Sequence, residues 1–146
     1  MIMASVKGAV NAKGLKEFQK NLEKLNEVER RQWNEAAVKG LAARLLAKVK
    51  KRTPVGIYSK RTGKKGGTLR RNWTVGKVNK SGDTYTIEIK NPVHYAPYVE
   101  FGHRTANHQG WVDGKFMLTI SEQELQKDAP RILMNKLKSF IGGALS

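Results

Sequence analysis

The chain has 146 residues, no cysteine, and a formal net charge of +16 from 28 Lys and Arg against 12 Asp and Glu. That length suits one domain with its own core, and the lack of cysteine excludes disulfides and thiolate metal sites. No run is apolar for long enough to cross a bilayer, and the opening MIMASVKGAV is too short and too weakly apolar for a secretion signal. The expectation is a single domain over residues 1–146, soluble and assembled in a cytoplasm.

The charge is uneven. Between Glu35 and Asp83 there is no acidic residue, yet 14 of the 28 basic residues fall there. Such a field favours acidic partners, either nucleic acid or an acidic protein surface. It also opposes close packing of identical copies, so any homo-oligomeric ring needs counter-charge.

Residues 1–12 lack a clear period and are expected as a loose N-terminus. From Leu15 the apolar spacing is helical through Phe18, Leu22, Leu25 and Val28, and it resumes at Trp33, Ala37, Leu41, Leu45 and Val49. One long helix or two collinear ones fit equally. At about 35 residues and about 1.5 Å per residue, such a helix outruns a small core and must bend or touch something outside it. Pro54 stops it. Residues 55–67 read as a flexible basic loop without the spacing of a phosphate-binding loop. Trp73, Val75 and Val78 fit a strand packing inward, residues 79–83 a turn, and Thr84–Lys90 a second strand with Tyr85, Ile87 and Ile89 on one face. Pro92 ends that strand.

The stretch from Asn91 to Leu118 holds Tyr95, Tyr98, Phe101, Trp111 and Phe116, five of the eleven aromatic residues counted as Phe, Trp and Tyr. A short apolar-aromatic element, Val93 to Phe101, ends at Gly102, and residues 103–110 form an exposed polar loop. Trp111 and Phe116-Met117-Leu118 are expected to return the chain to the core. This is either a presented surface on a rigid support or an ordinary core strand and hairpin. Thr119 to Phe140 is helical again. Ser121 with Glu124 forms a capping-box pattern, Pro130 predicts a kink or a fresh start near Asp128, and Gly142-Gly143 closes the helix. The fold class is α+β: a long N-terminal helix, a small antiparallel β-sheet, and a C-terminal helix packed on one face of the sheet.

No residue set supports catalysis. His94, His103 and His108 lie near Glu100 and Asp113 but match no ligand spacing of known geometry, so no metal, cofactor or catalytic residue is assigned. A metal-dependent nuclease rests only on those histidines and the basic charge. Nucleic-acid binding has more behind it. Lys60, Arg61, Lys64, Lys65, Arg70 and Arg71, with Tyr58 and Trp73 among them, form a candidate polyanion contact that would touch the phosphate backbone and weaken steeply with salt.

Four motifs occur in order: Thr53-Pro54-Val55, Gly67-Thr68-Leu69-Arg70-Arg71-Asn72-Trp73, Tyr95 to Thr105 (YAPYVEFGHRT), and Trp111 to Leu118 (WVDGKFML). Together they resemble the tail-completion, or head–tail joining, proteins of long-tailed bacteriophages and prophages, with the lambda minor tail protein Z a distant relative in role. The family's usual short link, Thr-Pro-Val-Asp-Thr-Gly-Thr-Leu, is replaced here by a longer lysine-rich insertion from Gly56 to Gly66. The resemblance implies a non-enzymatic structural protein of the virion neck. Its implied partners are the terminator, tape-measure and head-completion proteins, and its implied state is a ring around the DNA path. The high charge adds the expectation of a monomer or weak dimer in isolation. Tyr98, Glu100, His103, Arg104 and Trp111 are expected at or beside a subunit contact.

Overall fold

The computed structural model describes the backbone of residues 2–7, 20, 21, 23–56, 60–63, 66–82 and 84–145, and the side chains of that set except at 2–7, 60 and 143–145. Leu15, Phe18, Leu22, Tyr58, Lys64, Lys65, the side chain of Lys60, and residues 8–12 of the expected N-terminal tail lie outside it.

The chain centres on one helix, α1 (Glu27–Arg52, 26 residues). It begins later than apolar spacing alone predicts. The Asn26 carboxamide oxygen accepts from Glu29 N–H at 2.8 Å, and Glu29 Oε1 accepts from Asn26 N–H at 3.1 Å. This reciprocal cap satisfies two donors that a helix start leaves open. The chain turns at Lys24 and Leu25 just before it, so the single long helix does not form. The apolar stripe of α1 is buried at Trp33, Ala37, Val38, Leu41, Ala42, Leu45 and Val49. Pro54 ends the helix as expected, with Thr53 already extended at φ −70° and ψ 122°.

The main sheet is built on β4 (Thr84–Asn91). One edge of β4 pairs antiparallel with β1 (Ile2–Lys7), with Ala4 opposite Ile89. The N-terminus is therefore a strand over residues 2–7 and not loose there. Its six residues alternate, with Ile2, Ala4 and Val6 between Met3, Ser5 and Lys7, a signal too short to read without a partner strand. The other edge takes β2 (Thr74–Val75) and then β3 (Asn79–Ser81). Between them Gly76 N–H donates to Glu88 O at 2.8 Å, which carries the ladder across the break. The hairpin turn is tighter than residues 79–83, since β3 occupies 79–81. Tyr85, Ile87 and Ile89 are buried as their alternation predicts, and Trp73 is buried beside them. Val75, expected inside, sits on the short edge strand and is 38% exposed.

α1 packs on β4 and along α4 (Met117–Leu145). The two helices run antiparallel: Lys48 pairs with Glu124 at 3.1 Å, while Lys136 Nζ donates to Ala36 O at 2.8 Å. α4 passes through Pro130 and Gly142 without a new start. Proline inside a helix costs about 3 kcal/mol. Leu125, Leu133, Leu137 and Ile141 are buried along the same helix, and each contributes roughly 2 kcal/mol, so continuity wins. Ser121 is not a cap. It lies in the helix interior, fully buried, with its hydroxyl donating to Met117 O at 2.6 Å. Glu124 instead pairs across to Lys48 and Arg52. The α+β class stands: a long helix, a small antiparallel sheet and a C-terminal helix.

Candidate functional site

The aromatic stretch folds as a helix, a hairpin and a helix start locked together. Pro97 near the first turn favours α3 (Ala96–Phe101), and Gly102 closes it with φ 93° and ψ 173°. Only glycine fits at that position. Besides the backbone angle, a Cβ there would meet Val112 O at 2.6 Å and Trp111 Cζ2 at 2.9 Å. β5 (Gly102–Arg104) then pairs antiparallel with β6 (Trp111–Asp113), placing His103 opposite Val112 and Arg104 opposite Trp111. The polar loop is thus shorter than 103–110, because its first two residues are strand. The remainder is tied to itself: Thr105 N–H donates to Gly110 O and Gly110 N–H to Thr105 Oγ1, both at 3.0 Å. Asn107 Oδ1 accepts from Gln109 N–H at 3.1 Å.

Glu100 holds this assembly from behind. It is 0% exposed, and its carboxylate accepts from Leu118 N–H at 2.8 Å, Thr119 N–H at 2.8 Å and the Thr119 hydroxyl at 2.7 Å. The two N–H groups are donors that the first turn of α4 leaves unpaired, and negative charge is favoured there. Backbone bonds from Lys115 N–H to Val99 O (2.8 Å) and Phe116 N–H to Glu100 O (3.0 Å) complete the lock. Glu100, expected at or beside a subunit contact, is a buried internal cap that supports the neighbouring surface from behind. Further along α4, burial first and the Glu100 carboxylate second push the Glu122 carboxyl above its usual range.

The lock decides which aromatics turn inward. Met117 and Leu118 enter the core, as expected. Trp111 and Phe116 do not: Trp111 is 59% exposed, and Phe116 is also exposed, with a backbone φ of 47° that bulky residues rarely adopt. Tyr98, Phe101, Val112 and Ile120 are exposed as well. Tyr98 and His103 stack edge to face with centroids 6.1 Å apart, and His103 Nδ1 is buried without a hydrogen-bond partner among the described residues. The hairpin therefore does bring Tyr98, His103, Arg104 and Trp111 onto one small unit.

Of the six basic residues proposed for polyanion contact, the side chains of Arg61, Arg70 and Arg71 are described, and two of these three are already engaged within the fold. Arg70 donates from Nε (3.2 Å) and Nη2 (2.7 Å) to Thr53 O, capping the C-terminus of α1. Arg71 donates to Gly66 O at 2.8 Å. Arg61 is exposed. The same knot explains two of the sequence motifs. Thr53 Oγ1 donates to Val49 O (2.6 Å) and accepts from Trp73 Nε1 (2.8 Å), while Asn91 Nδ2 donates to Leu69 O (2.8 Å) in the short helix α2 (Thr68–Arg71). His94 and His108 are exposed. Among the described residues no group of three or more His, Cys, Asp or Glu side chains is placed to hold a metal ion.

Residues 16–102, more than half of the chain, match the family described as "Bacteriophage HK97-gp10, putative tail-component". The chain belongs to that family. No curated protein and no solved structure matches it. The matched span includes the Thr53–Trp73 knot and α3, and it stops at Gly102, the first residue of β5; the rest of the β5–β6 ribbon and α4 lie beyond it. Membership puts this phage tail component among proteins that work in contact with other phage structural proteins. Among its described residues no helix is long and apolar enough to cross a membrane.

Proposed function

We propose that this phage tail component is a non-enzymatic virion protein that joins tail to head at the neck, beside the terminator, tape-measure and head-completion proteins. It docks through the unit formed by α3, the β5–β6 ribbon and the start of α4. The observation that carries this reading is the exposed set of Tyr98 and Phe101 on α3, Trp111 and Val112 on β6, and Phe116 just before α4, in a unit fixed to the core through Glu100. Rigid aromatic anchors lose little entropy on binding. His103 and Arg104 supply a polar rim.

The test is complementation of a phage lacking this gene. The wild-type chain restores joined particles. The double variant Phe101→Ser/Trp111→Ser keeps its melting temperature within about 3 °C, because both side chains are largely outside the core, but leaves heads and tails separate by electron microscopy. Joined particles in normal yield from the gene deletion or from the double variant would show that the neck role, or this surface, is wrong.

A further inference from the structure

A second concave site lies along the seam of α1 and α4, apart from the aromatic unit. It is an open groove of about 450 Å³ lined by Ala37, Gly40, Leu41 and Ile132 together with Arg44, Arg131, Asn135, Lys136 and Ser139. Its charged side chains, Arg44, Arg131 and Lys136, are all cationic donors. Arg44 has no ion pair or hydrogen bond among the described residues, and Arg131 has only Asp128, at 3.7 Å and largely exposed. Lys136 is drawn into the groove, where its ammonium donates to Ala36 O at 2.8 Å. That leaves two of its three N–H groups for another acceptor. Gly40 makes room for it, since a Cβ at that position would stand 2.5 Å from Lys136 Nζ. Glycine in a helix interior costs about 1 kcal/mol relative to alanine, and here it lets a cation lie against the helix backbone.

We propose that this groove binds the phosphodiester backbone of nucleic acid, with Arg44 and Arg131 engaging phosphate oxygens through paired N–H groups and Lys136 adding a third cation from within the groove. Guanidinium forks match phosphate geometry. A lining of donors without base-reading depth binds without regard to sequence. The inference is independent of the neck-joining reading.

The experiment is fluorescence anisotropy with a short random-sequence DNA duplex at two salt concentrations. Arg44→Gln/Arg131→Gln is compared with a charge-matched control, Lys77→Gln/Lys90→Gln, whose side chains are exposed elsewhere. The groove variant is expected to bind at least tenfold more weakly at low salt, with its log–log salt slope reduced by roughly 2, while the control loses less than about threefold. Gly40→Ala separates folding from binding: it displaces only the flexible end of Lys136, so its melting temperature holds or rises while affinity falls severalfold. Equal losses in the groove and control variants, wild-type affinity in Gly40→Ala, or a wild-type chain that binds poly-L-glutamate but not DNA at low salt would each overturn the proposal.

Discussion

Glu100 sits in a surface-looking motif, YVEFGHR, yet its carboxylate takes three donors from the start of α4. Nothing in the local spacing shows this, because the donors at Leu118 and Thr119 are far along the chain. Its removal leaves the buried Leu118 N–H without a partner, and orphaning a buried donor costs more than one hydrogen bond contributes. Glu100→Ala is expected to lose about 3 kcal/mol, and Glu100→Gln, which keeps one acceptor oxygen, roughly half as much. Urea unfolding at neutral pH measures both; a loss below about 1 kcal/mol for the alanine variant would mean the cap is replaceable. The exposure of Trp111 and Phe116 follows from the same lock, so their expected place in the core was wrong for a reason outside their own sequence neighbourhood.

Element boundaries divide by what sets them. Pro54 ends α1 by local sterics, and the Tyr85-Ile87-Ile89 alternation makes β4 wherever a core covers it. The start of α1 was also legible: Asn26 and Glu29 carry the spacing of a reciprocal cap, which the stronger apolar period obscured. At α4 the same spacing in Ser121 and Glu124 misleads, because a distant carboxylate caps the helix one turn earlier. The lysine-rich insertion shows a further device. Gly66 lies against the carbonyl of Gly56 so closely that a Cβ would collide with it, so the insertion leaves and rejoins the fold at one point. Excising residues 57–65 and joining Gly56 to Gly66 is expected to change the melting temperature by less than about 3 °C, since shortening a loop with touching ends alters closure entropy little. Calorimetry reads this directly; a fall of 10 °C or more would show that the insertion supports the fold.

At the scale of the whole molecule, α1 joins the sheet to α4, and charge collects along the seam. Glu122, on the α4 turn near Glu100, has its carboxyl raised by burial and by that neighbour. A carboxyl whose folded value exceeds its unfolded one binds more protons folded than unfolded between the two. Its penalty is therefore present above the raised value and is relieved as pH falls through it toward the ordinary carboxyl range. Glu122→Gln is expected to raise the melting temperature at neutral pH, with the gain over wild type shrinking on mild acidification. Melting curves at neutral and mildly acidic pH check this, and a gain that does not change with pH would contradict the assignment.

The sequence by itself determined the α+β class, the apolar stripe of α1, the inward face of β4 and the motifs shared with a phage tail-component family, because each rests on spacing within a few residues. Only the tertiary structure decided that residues 2–7 form an edge strand, that Glu100 is internal, that Arg70 caps the end of α1, and that Trp111 and Phe116 turn outward. Each of those outcomes depends on a partner far along the chain, and the choice between burial and exposure is made where the two segments meet.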